Sequence, residues 1–194
     1  IDMGTYPYVT SSSTVAGVSS GSGISVTKIH GVLSIVKAYT SRVGEGPFVA
    51  EIFGEGADFI RERGCEYGTV TKRPRRIGWL DLVMLKYAVN VVGTTEIALT
   101  LLDVLSGLKE IKVCVGYKYN GKTIHEILPS NKEYAKCKPI YKTFKGWKED
   151  ITQITSFNQL PVNARAYINY LSKELEVPIT YISVGNDRIK TIRK

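Results

Sequence analysis

Apolar residues in this chain fall into short blocks separated by Gly, Pro and polar stretches, and the periodicity differs from block to block. Residues 32–39 form an apolar run bounded by Gly31 and the turn at 42–47, which predicts a buried strand. Residues 57–63, closed by Gly64, predict a short helix. Residues 79–92 are apolar around most of a helical circumference and stop at Gly93, so a helix in the interior of the fold is expected. Residues 96–103 predict a buried strand whose carboxyl end delivers Asp103. Residues 110–119 and 122–128 flank Asn120-Gly121, a pair that favours positive φ at both turn positions and so predicts a hairpin. Residues 129–150 are polar and aromatic with scattered prolines, and read as a surface excursion.

The final third repeats the alternation. Ala164, Tyr167, Ile168, Leu171 and Leu175 lie on one helical face, with Pro161 placed to start the helix and Pro178 following its end. Residues 179–182 predict a strand that leads into the polar turn at 183–188. Near the start, residues 4–25 are rich in Gly, Ser and Thr but carry Tyr6, Tyr8, Val9, Val15 and Val18, and an ordered loop able to grip an anion is expected. Strands alternating with helices predict an α/β fold.

Composition narrows the partners. Against 18 acidic residues stand 26 Lys and Arg, a formal charge of +8, which suits nucleotides, phosphorylated metabolites or nucleic acid. Three widely spaced cysteines with no CxxC read as reduced thiols of a cytosolic protein, with Cys114 in the core. Two distant histidines give little support to a metal site, and no apolar run is long enough to span a membrane. The start at Ile1-Asp2, without Met, reads as the tail of a longer polypeptide.

Three polar loops follow apolar segments: 68–76, 101–107 and 183–188. The first sets Lys72, Arg73, Arg75 and Arg76 beside Thr69 and Thr71, and paired guanidinium N–H groups match the oxygens of a carboxylate or phosphate. Asp103 can accept from the N1–H and exocyclic amine of guanine, and the Ser183-Val184-Gly185 turn can present backbone amides to a carbonyl oxygen. Together these loops describe a purine pocket beside an anion clamp, sharing one cavity.

The blocks GTYPYVTSSSTVAG, TSRVGEGPF, YGTVTKRPRRIGWLDL, LTLLDVLSGLKE, CKPIY..FKGWKEDI and VPITYISVGNDR resemble the adenylosuccinate synthetases, in that family's order and over almost the whole chain. The resemblance implies a phosphate-loop-like α/β fold, with a mixed, largely parallel sheet, flanking helices and a small β-hairpin excursion. It places residues 1–194 in the carboxyl-terminal part of that domain. The implied reaction is the GTP-dependent joining of IMP and L-aspartate to adenylosuccinate, in a cytoplasmic homodimer that uses Mg²⁺ bound mainly by the amino-terminal half. By the same resemblance, Thr69, Val70, Thr71, Lys72, Arg73, Pro74 and Arg75 form the aspartate loop. Thr10 and Arg73 would contact IMP, while Arg75, Leu101, Leu102, Asp103, Ser183, Val184 and Gly185 would hold GTP.

The chain departs from the family pattern at four places. Lys72 stands where many members have glycine, Val70 where a threonine is common, Leu101 where a lysine precedes the Leu-Asp pair, and Asn186 where a proline is usual. These leave open a related synthetase with altered purine nucleotide specificity. The family's GDEGKGK loop, catalytic aspartate and catalytic histidine belong to its amino-terminal half. The Gly-rich strings at 21–23 and 44–46 lack the following lysine, so the chain alone is expected to be inactive. A basic nucleic-acid-binding module is the alternative class, but no RNP-like or GXXG clamp is present.

Overall fold

The computed structural model describes residues 14–194. A parallel sheet carries the strand ends that matter for function. Its strands are β1 (Leu33–Lys37), β6 (Glu96–Thr100) and β10 (Ile179–Ser183), with β6 in the middle and β11 (Thr191–Arg193) added antiparallel beyond β10. Ile97, Ala98 and Leu99 of β6 are all buried, as a strand covered on both faces requires. β1, by contrast, leaves Leu33 46% and Ile35 68% exposed. The expectation of a buried strand therefore fails on one face, because β1 lies at the end of the sheet with no further described strand beside it.

Two further sheets complete the α/β architecture. One is antiparallel, with β4 (Arg76–Gly78) between β2 (Thr40–Arg42) and β3 (Glu51–Ile52). In the other, β7 (Glu110–Tyr119) pairs with β5 (Leu80–Asp81) in parallel and with β8 (Lys122–Ile124) and β9 (Lys138–Lys145) antiparallel. β7 and β8 form the expected hairpin, with Asn120 at φ 47° and Gly121 at φ 76°, the left-handed conformation that Asn and Gly tolerate best.

Four sequence expectations need correction. Residues 129–150 are not a loose excursion: they hold α4 (Asn131–Tyr134) and the eight-residue strand β9, and they bury Tyr134, Cys137 and Trp147. The helix expected over 79–92 starts later, because β4 and β5 intervene after the loop at 68–76 and the helix begins only at α3 (Leu82–Val92). In α3, moreover, only Leu82, Val83 and Val89 are buried, while Met84, Tyr87 and Val91 reach solvent, so its apolar circumference did not make it an interior helix. The described part of 4–25 contains a helix, α1 (Val15–Ser22), in place of the expected loop, and residues 4–13 lie outside the described residues.

Helix boundaries follow local chemistry. Asp81 caps α3 by accepting from Val83 N at 3.0 Å and Met84 N at 3.3 Å, and Gly93, at φ 71°, ends it. α5 (Val162–Leu175) follows Pro161 and buries the five positions its periodicity marked. α2 (Glu55–Arg63) is capped by Gly64 at φ −83°, so this glycine is not there for a left-handed turn. A Cβ on Gly64 would stand 2.2 Å from the Tyr39 hydroxyl, and close packing is what demands it. The main core gathers Ile97, Leu99, Leu102, Leu105, Tyr167 and Ile182, and a second cluster surrounds Cys114, Tyr117 and Tyr134. Burial lifts the Cys114 thiol to about 12, which suits an inert core group.

Candidate functional site

The basic loop is a closed hairpin. Arg75 N donates to Glu66 O at 2.9 Å, Tyr67 bridges Pro74, and Gly68 N donates to Arg73 O at 2.9 Å. Inside these rungs Lys72 N donates to Gly68 O at 2.9 Å, a turn that requires Lys72 at φ 52°. A left-handed backbone is the natural place for glycine, which explains why lysine here is a departure. Thr69, Val70, Thr71, Lys72, Arg73 and Pro74 are exposed at the tip, Val70 to 90%. No side-chain acceptor among the described residues takes the Arg73 guanidinium, so its fork is available to a ligand.

At the base of the loop sits a carboxylate that sequence reading missed. Glu66 is 0% exposed. Its Oε1 accepts from Lys37 Nζ at 2.6 Å and from the Tyr39 hydroxyl at 2.7 Å, while Oε2 accepts from Arg75 Nη1 at 2.7 Å. Burial pushes the Glu66 carboxyl up, but the donors Lys37, Tyr39 and Arg75 outweigh it and hold the group below its ordinary value. Tyr39 is pushed the other way, by its burial first and then by the Glu66 charge, and stays a neutral donor. The available signal was compositional: Glu66 is the lone acid in the basic run 63–76.

The second group forms at the carboxyl ends of β6 and β10, where parallel pairing places Ile182 opposite Leu99. The two loops meet directly, since Leu102 N donates to Ser183 O at 3.3 Å. Ser183 Oγ donates to Gly185 O at 2.7 Å, and Val184 N to Lys190 O at 2.9 Å, which shapes the 183–185 turn. Leu102 and Val184 are fully buried, and their N–H groups are taken by Ser183 O and Lys190 O. Leu101 turns at φ 59°, so the chain reverses sharply between the strand and Asp103. Asp103 Oδ1 is buried and has no hydrogen-bond partner among the described residues. Burial raises its pKa despite the pull of its own backbone N–H and of Arg63. An acceptor in that condition is unmet until a donor arrives.

The structure brings 101–103 and 183–185 together and sets the basic loop nearby. Arg63, at the last turn of α2, donates to Asp103 O at 3.0 Å and to Ser106 O at 2.7 Å, and the chain then enters the loop through Gly64 and Glu66. The charges of Asp103 and Arg75 both act on Tyr39. Two cavities among the described residues have walls that include neither Arg73 nor Asp103. The larger, about 1100 Å³, has Ile35, Lys37, Tyr39, Arg42 and Tyr87 in its wall. The smaller, about 390 Å³, lies against Asp58, Arg61, Pro74 and Arg75. Thr10 lies outside the described residues.

Comparison with known proteins converges on one family. The adenylosuccinate synthetase family model matches residues 1–192. The chain is 55% identical over 195 residues to the adenylosuccinate synthetase of Malacoplasma penetrans, covering 100% of this chain and 46% of that protein. It is also 55% identical over 192 residues to that of Lactiplantibacillus plantarum, covering 98% of this chain and 45% of the relative. Among solved structures, fully ligated adenylosuccinate synthetase from Plasmodium falciparum superposes with a TM-score of 0.94 at 46% identity, covering 100% of this chain and 47% of that one. The succinoaminodeoxyadenylate synthetase of cyanophage S-2L, bound to dGMP and dATP, shares the fold at a TM-score of 0.51 and 18% identity, covering 100% of this chain and 42% of that one. The chain thus spans about half the length of the relatives it matches.

Proposed function

The chain belongs to the adenylosuccinate synthetase family, and on that footing we propose that it supplies the aspartate loop and guanine pocket of an enzyme that joins IMP and L-aspartate to adenylosuccinate, driven by GTP. The basic tip at 69–75 holds the dicarboxylic substrate, with Arg73 reaching IMP as well and Arg75 lying toward GTP. Thr10 belongs to the IMP phosphate contact in the same reading. Asp103 reads the guanine edge, and the backbone of Leu101, Leu102, Ser183, Val184 and Gly185 frames the base. The supporting observation is the buried, unpartnered Asp103 Oδ1 beside the 183–185 turn. A carboxylate there accepts two donors from guanine and finds only one, the amine, on adenine.

The amino-terminal part of the family's chain supplies the phosphate loop, and the working enzyme is a cytoplasmic homodimer. No helix among the described residues is long and apolar enough to cross a membrane. Mg²⁺ accompanies the triphosphate. Among the described residues no three His, Cys, Asp or Glu side chains stand together as ligands.

The deciding experiment titrates the intact enzyme with GTP, ATP, IMP and aspartate, with native Asp103 and with Asp103→Ala. Selective weakening of the guanine nucleotide is expected. Equal loss for GTP and ATP would contradict the base-reading role. The fold also serves an enzyme bound to dGMP and dATP, so the Leu101 position makes a preference for another nucleotide the second reading. Tighter use of ATP than GTP by the native enzyme would favour it.

A further inference from the structure

We propose that Glu66 is a positioning residue of this site: it grips Arg75 by one guanidinium nitrogen and so presents the opposite edge, Nε with Nη2, to a substrate anion. The inference deepens the reading of Arg75 as a GTP-facing residue and rests on it.

Glu66 takes only Nη1 of Arg75. A guanidinium binds oxyanions best through two parallel N–H groups, and the Nε–Nη2 pair is one such edge. That edge is left unpaired: Arg75 Nε is buried without a partner among the described residues, a condition that a structural brace would have relieved by a bidentate grip.

The grip is also rigid. Glu66 Oε1 is pinned by Lys37 and Tyr39, and Tyr39 is wedged against Gly64, where no Cβ fits. On the other side the Arg75 backbone is held at both ends, its N–H by Glu66 O and its carbonyl by Arg61 Nε at 3.0 Å. Two cations, Lys37 and Arg75, share one carboxylate. One positive charge remains in the cluster, so an arriving anion completes the charge balance.

Four forms of the intact enzyme test this: Glu66→Gln, Glu66→Asp, Arg75→Lys and the double variant Glu66→Gln/Arg75→Lys. Glu66→Gln is expected to raise KM for GTP about tenfold, with KM for IMP within about twofold of native, since a freed guanidinium loses its bidentate edge. Glu66→Asp retains the charge but withdraws the carboxylate, so it shifts KM for GTP in the same direction and serves if the glutamine variant does not fold. In the Arg75→Lys background, Glu66→Gln adds less than about twofold, because it acts through the arginine. The proposal is overturned if Glu66→Gln and Glu66→Asp lower only the thermal midpoint, raise KM for GTP and IMP alike, or add in full to Arg75→Lys. A normal Glu66→Gln enzyme beside a defective Arg75→Lys enzyme sinks the proposal alone. Native KM for GTP in Arg75→Lys sinks the reading of Arg75 and this proposal with it.

Discussion

Asp103 and Lys72 each carry a local oddity that chemistry can interrogate. The unmet Oδ1 of Asp103 makes it an acceptor with something still to bind. Replacing it by Asn puts a donor where guanine also donates, and should weaken GTP roughly 10- to 100-fold, the span of about one charged hydrogen bond. ATP should change far less, and parallel competition titrations of the two nucleotides check it. Lys72 sits at φ 52°, a backbone that a β-branched residue tolerates poorly. Lys72→Val should therefore destabilise by about 1–2 kcal/mol, whereas Lys72→Gly should be close to neutral because relief of strain is offset by greater freedom in the unfolded chain. Urea unfolding midpoints decide it, and a Val variant as stable as native would show the loop to be free of left-handed strain.

At the level of elements, the helix α3 depends on a single carboxylate for its start. Asp81 caps Val83 and Met84 while its Oδ2 accepts from the buried Tyr117 hydroxyl at 2.7 Å, and Tyr117 in turn lies 3.1 Å from Tyr134. One residue thus joins the helix to β7 and to α4. Asp81→Ala removes a cap and orphans part of a buried pair, a loss of about 2–4 kcal/mol. Thermal unfolding should show a clear drop in midpoint, and a change within about 0.5 kcal/mol would mean water replaces the cap. The basic loop is likewise an element: its rungs at Glu66–Arg75 and Gly68–Arg73 make it a hairpin with a ligand-facing tip. Its charge was visible in the sequence. Its closure was not, since the pairing depends on a buried acid whose three partners come from β1, the turn after it and the loop itself.

For the whole molecule, acid stability offers a test of the Glu66 cluster. Its folded pKa is lowered below the ordinary 4.5, by donors that outweigh burial. The cluster's contribution is present above about pH 4.5 and is lost as pH falls through the lowered folded value. Asp81 has the opposite sign: burial raises its pKa above 3.8, so acid favours its protonated, native form. Wild-type stability should fall more steeply below pH 4.5 than that of Glu66→Gln, measured by denaturant titrations at stepped pH. Parallel curves would mean that Glu66 does not differ between folded and unfolded chains. Turnover is a second property of the whole. The 194-residue chain should show none with GTP, IMP and aspartate, since it lacks a glycine-rich phosphate loop with its lysine. Turnover by the purified chain would reassign the phosphate chemistry to these residues.

Periodicity and turn chemistry settled what local forces decide. The five buried positions of α5, the Asn120-Gly121 turn, the strands that start at 96 and 179, and the loop of four cations each follow from side-chain spacing or backbone preference within a dozen residues. Local spacing contains no information about what lies across a sheet or behind a helix. That is why β1 and α3, both apolar, proved half exposed, and why 129–150, polar to read, contributed a paired strand. Long-range contact alone set the burial of Glu66 under Tyr39, the tie from Arg63 to Asp103, and the meeting of 101–103 with 183–185. Each joins residues distant in the chain, and only chain packing brings such groups within hydrogen-bond reach.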